Sequence, residues 1–114
     1  MGPFDELLQG IYSSTVAEVS ILVREVQVRI GVLQKPVTIR VYYTGRGDQP
    51  YRFDTSARMK TANRDGVREG LRTASSEGDA LRRAVRLLTQ DYEDAVRRGH
   101  MPDDSWLVEG GGDE

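Results

Sequence analysis

The chain has 114 residues, 38% hydrophobic and 30% charged, a length and balance that support one hydrophobic core and argue against wholesale disorder. Its 16 basic and 18 acidic residues give a net charge of -2, so no global charge recruits it to nucleic acid or to an anionic membrane. It has no cysteine, which removes disulfides, thiol nucleophiles and Cys-ligated zinc, and no apolar run approaches the roughly 18 residues of a membrane span.

The N-terminal MGPFDELLQG lacks a basic stretch leading into a long apolar one, so the expected location is cytoplasmic, with no membrane partner. Phe4, Leu7, Leu8 and Ile11 fall at helical spacing after Pro3, with Asp5 and Glu6 in the first turn. That pattern predicts a short N-terminal helix. From Val19 the period changes to two. Val19, Ile21 and Val23 share one parity and Val26, Val28, Ile30 and Val32 the other, so the pattern slips at Arg24-Glu25. One strand cannot hold both sets on one face unless a β-bulge or a tight turn intervenes.

Val37, Ile39, Val41 and Tyr43 alternate with Thr38, Arg40 and Tyr42 as a second strand, and Gly45-Arg46-Gly47-Asp48-Gln49-Pro50 supplies a chain reversal. Tyr51, Phe53, Thr55, Ala57 and Met59 then alternate with Arg52, Asp54, Ser56, Arg58 and Lys60, a third strand running to residue 60. Residues 61–78 hold three glycines and few apolar side chains; they read as a loop with one helical turn at most. Ser76 with Asp79 resembles a capping box, and Leu81, Ala84, Val85, Leu88, Tyr92, Ala95 and Val96 form the apolar stripe of a long helix. Asp79 with Arg83, Glu93 with Arg97 and Asp94 with Arg98 have the favourable acid-first spacing. Gly99 and Pro102 end the helix at about Arg98.

Together these elements predict a single α+β domain over residues 1–102. It is an antiparallel meander of three strands, or four if the slip is a turn, with the short N-terminal helix and the long C-terminal helix packed on one face. Residues 103–114 form an acidic, glycine-rich tail holding the lone tryptophan, Trp106, which either folds back or anchors on a partner. The αβββα order resembles in topology the double-stranded-RNA-binding domain, over about residues 3–99. The residues depart from it. That family opens its second helix with a lysine cluster, where this chain has Ser76-Glu77-Gly78-Asp79, and its His-containing loop has no counterpart in Gln34-Lys35-Pro36. No family is assigned on topology alone.

Catalytic signals are sparse. His100 is the only histidine and suits a helix C-terminus, and Asp91 and Asp94 have Arg97 and Arg98 near enough to pair. Without cysteine or a second histidine no zinc set exists, and the glycines form neither GxGxxG nor a P-loop, so no metal and no cofactor are expected. Arg46-Gly47-Asp48 is accounted for by hairpin chemistry, and Arg72-Thr73-Ala74-Ser75-Ser76 by helix capping. An enzyme working through Asp54 or Asp65 lacks support, and no catalytic role is expected.

Arginine is the informative residue type. Fourteen of the 16 bases are Arg, and residues 19–100 hold all 16 against ten acids, a net of +6. If both helices cover one face, the other presents Arg40, Tyr42, Arg52, Arg58 and Lys60 among Thr38, Asp54 and Ser56. The expected function is a non-catalytic protein-interaction module, meaning a small subunit, adaptor or assembly factor. Arg40, Tyr42, Arg52, Arg58, Lys60 and Trp106 are its candidate contact residues. The alternative is a nucleic-acid binder using the same arginines on phosphates, and a homodimer closing the open face is a third arrangement the pattern allows.

Overall fold

A computed structural model describes residues 19–61 and 72–109. The N-terminal helix expected near residues 3–11 lies outside them, as does most of the glycine-bearing stretch before the long helix. Strands β1 (Ile21–Val28), β2 (Val37–Tyr43), β3 (Tyr51–Thr55) and β5 (Thr73–Ala74) form an antiparallel sheet in the order β1-β2-β3-β5. A second, two-stranded sheet pairs β4 (Ala57–Met59) with β6 (Leu107–Glu109). The helix α1 (Glu77–Arg97) packs on β2, β3, β4 and β5. No helix among the described residues is long and apolar enough to cross a membrane.

The slip in β1 is a bulge. Leu22 faces Tyr42 and Arg24 faces Val41, so Val23 is the extra residue and β1 continues unbroken to Val28. The fourth strand is therefore β5, supplied by a stretch expected to be loop, and not a turn within residues 19–32. Val37, Ile39, Val41 and Phe53 are fully buried, as strand alternation with one covered face requires. Gly45 and Gly47 both take positive φ in the β2–β3 hairpin, which the Thr44 N–H closes by donating to the Pro50 carbonyl at 2.7 Å.

The expected third strand is two strands. At Ser56 the chain exchanges bonds with Thr38: the Thr38 N–H donates to the Ser56 Oγ and the Ser56 N–H to the Thr38 carbonyl, both at 2.9 Å. The chain leaves β2 at that clamp and pairs onward with β6. Alternation survives the bend, because Phe53, Thr55, Ala57 and Met59 all stay buried.

Ser76 caps α1 by accepting the Asp79 N–H at 3.1 Å, and Gly99 follows the C-cap Arg98 at φ +92°. The buried stripe is rotated from the one expected. It runs through Ala80, Ala84, Leu88, Asp91 and Ala95, while Val85 and Val96 remain 38% and 42% exposed. Small side chains let the helix backbone approach the sheet closely, so the alanines take the contact line and the bulkier valines are displaced to its flank. Asp79 pairs with Arg82, not Arg83, whose Nη1 instead donates to the Thr73 carbonyl of the edge strand at 3.2 Å. Arg97 likewise bonds Asp94 in place of Glu93, while Asp94 with Arg98 forms as expected at 3.0 Å.

Beyond α1 the chain returns to the domain. Asp103 caps a 3-10 turn at Asp104–Trp106 by accepting the Ser105 N–H, and Asp104 accepts the Gln34 N–H at 2.9 Å. Residues 104–109, expected to lie in the tail, are thus a turn and strand of the fold. Their apolar side chains, Trp106 and Leu107, are 6% and 5% exposed in the same core.

The loop after β1 is held by α1. Gly31 takes φ +55°, and an added Cβ would lie 2.0 Å from the Tyr92 hydroxyl, which also accepts the Val32 N–H at 3.1 Å. Gly31→Ala therefore meets both left-handed backbone strain and a steric clash, and should destabilise the fold by about 2 kcal/mol or more. Urea unfolding followed by circular dichroism measures it; a loss below about 0.5 kcal/mol would mean that the loop is not pinned by Tyr92.

Candidate functional site

The face of the main sheet turned away from α1 is uncovered among the described residues, and it is built by register. Cross-strand pairing places Leu22, Tyr42 and Arg52 side by side in one row, and Glu25, Arg40 and Asp54 in the next. In the first row Leu22 is 48% exposed and the Arg52 guanidinium lies 4.7 Å from the centre of the Tyr42 ring, a cation-π arrangement. In the second, the Arg40 Nε donates to Glu25 Oε1 at 3.0 Å with both side chains about half exposed. That bond, with the Glu25 charge and lesser help from Tyr42 and Asp54, raises the Arg40 pKa above its ordinary value.

Of the six candidate contact residues, three come together here: Arg40, Tyr42 and Arg52. Arg58 and Lys60 lie past the Ser56 bend. Arg58 pairs with Val108 in the second sheet, and its Nε is shielded from solvent beside Arg72 and Leu87, around a void of about 10 Å³. Lys60 follows β4, exposed, with its N–H donated to the Trp106 carbonyl at 2.7 Å. Trp106 is not a surface anchor, since its ring packs edge-on against Tyr92 with centroids 5.8 Å apart.

The open face is accordingly smaller and more nearly neutral than the sequence pattern implies. Arg40 and Arg52 are matched by Glu25 and Asp54. Neither Glu25 nor Leu22 was assigned to this face from sequence, because their parity depends on where the bulge falls. The signal was the slip itself: an extra residue at Val23 sends both outward.

Among the described residues no group of three or more His, Asp or Glu side chains gathers as a metal site. Of the acids weighed for catalysis, Asp54 is half-buried on the open face and Asp65 lies outside the described residues. The buried acid is Asp91, 2% exposed in the helix–sheet layer. His100 sits just past α1, its N–H donated to the Ala95 carbonyl at 3.0 Å. Comparison with family models, with curated proteins and with solved structures finds no match for this chain.

The burial of Trp106 makes its role measurable. Trp106→Ala should cost about 3–5 kcal/mol of stability, because it opens a cavity against Tyr92 and loosens the β4–β6 pairing. Denaturant unfolding checks this, and a stable, fully folded variant would show that the ring carries no structural weight.

Proposed function

We propose that this protein is a non-catalytic interaction module, a small subunit, adaptor or assembly factor, that grips another protein through the open face of its main sheet. The observation that carries the reading is the row Leu22, Tyr42 and Arg52, an exposed aliphatic, an aromatic and a guanidinium set side by side on three adjacent strands. Tyrosine and arginine dominate binding energy at protein interfaces because each offers a large contact area with a polar end that finds a partner. Strands hold all three with little freedom, so little order is lost on docking.

The neighbouring row supports a protein partner over a polyanion. Glu25 and Asp54 flank Arg40, so a phosphate backbone laid across the face meets two carboxylates together with its cations. A protein surface with its own mixed charges can match that alternation, and the mismatch of a wrong partner sets specificity. The absence of cysteine supports a cytoplasmic setting.

Tyr42→Ala combined with Arg52→Glu should leave the circular dichroism spectrum unchanged while lowering partner capture at least about tenfold, the scale of losing one central contact. Immobilised full-length chain, challenged with lysate, with the bound proteins quantified by mass spectrometry, provides the comparison. Identical capture profiles would overturn the reading. So would tight, steeply salt-dependent binding of RNA or DNA, which would establish the nucleic-acid alternative. Sedimentation equilibrium separates the remaining arrangement: a dimer dissociated by the double variant identifies the partner as a second copy.

A further inference from the structure

Helix α1 rests on β2, β3, β4 and β5, which leaves Val23, Val26 and Val28 of β1 only half-buried. One flank of the helix itself is also without cover among the described residues. Leu81, Val85 and Thr89 follow one another along it at four-residue spacing and line an open groove of about 590 Å³. At 3.6 residues per turn, Val85, Thr89, Tyr92 and Val96 fall within one sector of about 60°. Val85 and Val96 are exposed, and Thr89 and Tyr92 half-buried. Their spacing of four, three and four residues is that of a helix–helix seam, set beside the alanine line that already packs on the sheet.

The charges bordering this seam are arranged to match themselves. Arg86 follows Val85 and Glu93 follows Tyr92, so both lie along the outer edge of the groove, two turns apart. Both are exposed, and neither has an ion-pair partner among the described residues. The other charged residues of the helix surface are differently placed: Asp79 holds Arg82, and Asp94 holds Arg97 and Arg98. One unmatched base and one unmatched acid thus remain on one edge of an uncovered apolar seam.

We propose that this flank is the contact surface for a second copy of the chain, with the two α1 helices packed antiparallel about a two-fold axis. Layering Val85 on Val96 of the second copy, and Thr89 on its Tyr92, brings Arg86 opposite Glu93 of the second copy, and the symmetry repeats the pair. Parallel alignment would instead set each Arg86 at the height of the other and leave both charges unmatched. The seam from Val85 to Val96 is only about 16 Å long, so the interface is small and the dimer exchanges reversibly with monomer at micromolar concentration. The contact lies on the helix side of the main sheet, and the row Leu22, Tyr42 and Arg52 stays open in the dimer. The assembly is thus independent of the partner proposed for that row.

Sedimentation equilibrium of the full-length chain tests the assembly, with circular dichroism to confirm that each variant is folded. The wild-type chain should show a reversible equilibrium of monomer and dimer. Val85→Glu puts a charge into the seam and should leave only monomer. Arg86→Glu and Glu93→Arg each set like charges against one another across the axis, and each alone should weaken the dimer at least about tenfold. An equimolar mixture of these two variants should associate as the wild type does, because every Glu of one chain then meets an Arg of the other. Tyr42→Ala with Arg52→Glu should leave the dimer unchanged. A wild-type chain that stays monomeric at near-millimolar concentration would overturn the proposal. So would a dimer indifferent to both charge reversals, a mixture no more associated than its components, or a dimer dissociated by the Tyr42 and Arg52 changes.

Discussion

The bulge at Val23 is the constraint on which the rest of the structure depends. Strand side chains alternate with period two, so one inserted residue exchanges every inward and outward position on one side of it. With Val23 as the extra residue, Val26 and Val28 rejoin the core side while Leu22 and Glu25 point the other way. The same insertion turns Arg24 toward the helix, where it meets Glu77. One backbone irregularity thereby supplies the apolar end of the open face, the acid that compensates Arg40, and the tie that holds α1 beside β1.

The second determinant is the choice of small residues along α1. Ala80, Ala84 and Ala95 are fully buried, and that line brings the helix down onto β2 and β3. A helix seated so closely over the middle of the sheet cannot also cover its edge, because one helix is about 10 Å across and four strands span more than that. The half-buried row on β1 and the exposed Val85 and Val96 follow from one packing decision. A closely packed centre and an underfilled edge are two aspects of the same geometry.

Much of this was legible in the chain. The helix could be read nearly end to end, since Ser76 and Gly99 mark its limits by local chemistry that needs no tertiary information. The strands were legible by alternation, and the slip in β1 announced an irregularity. What could not be read were the features decided by partners distant in sequence. The Ser56 bend leaves no trace in the pattern because Phe53, Thr55, Ala57 and Met59 alternate straight through it; its cause is the pair of bonds to Thr38, 18 residues away. The rotation of the helix stripe was hidden for a related reason. Hydrophobicity ranks valine above alanine, whereas close approach to a sheet selects the smaller side chain. The composition of the face away from α1 turns on Glu25, whose orientation only the bulge position fixes.

The C-terminal strap completes the core on the helix side of the main sheet. A four-stranded sheet ending in a two-residue edge strand offers little pairing energy at that end, and the bend at Ser56 withdraws β4 from it. Strand β6 recovers that loss by pairing with β4, while Trp106 fills the space beside Tyr92 and Asp104 fastens the 3-10 turn to Gln34. The loop after β1 and the strap are therefore both joined to α1 through Tyr92, which bonds Val32 and packs on Trp106.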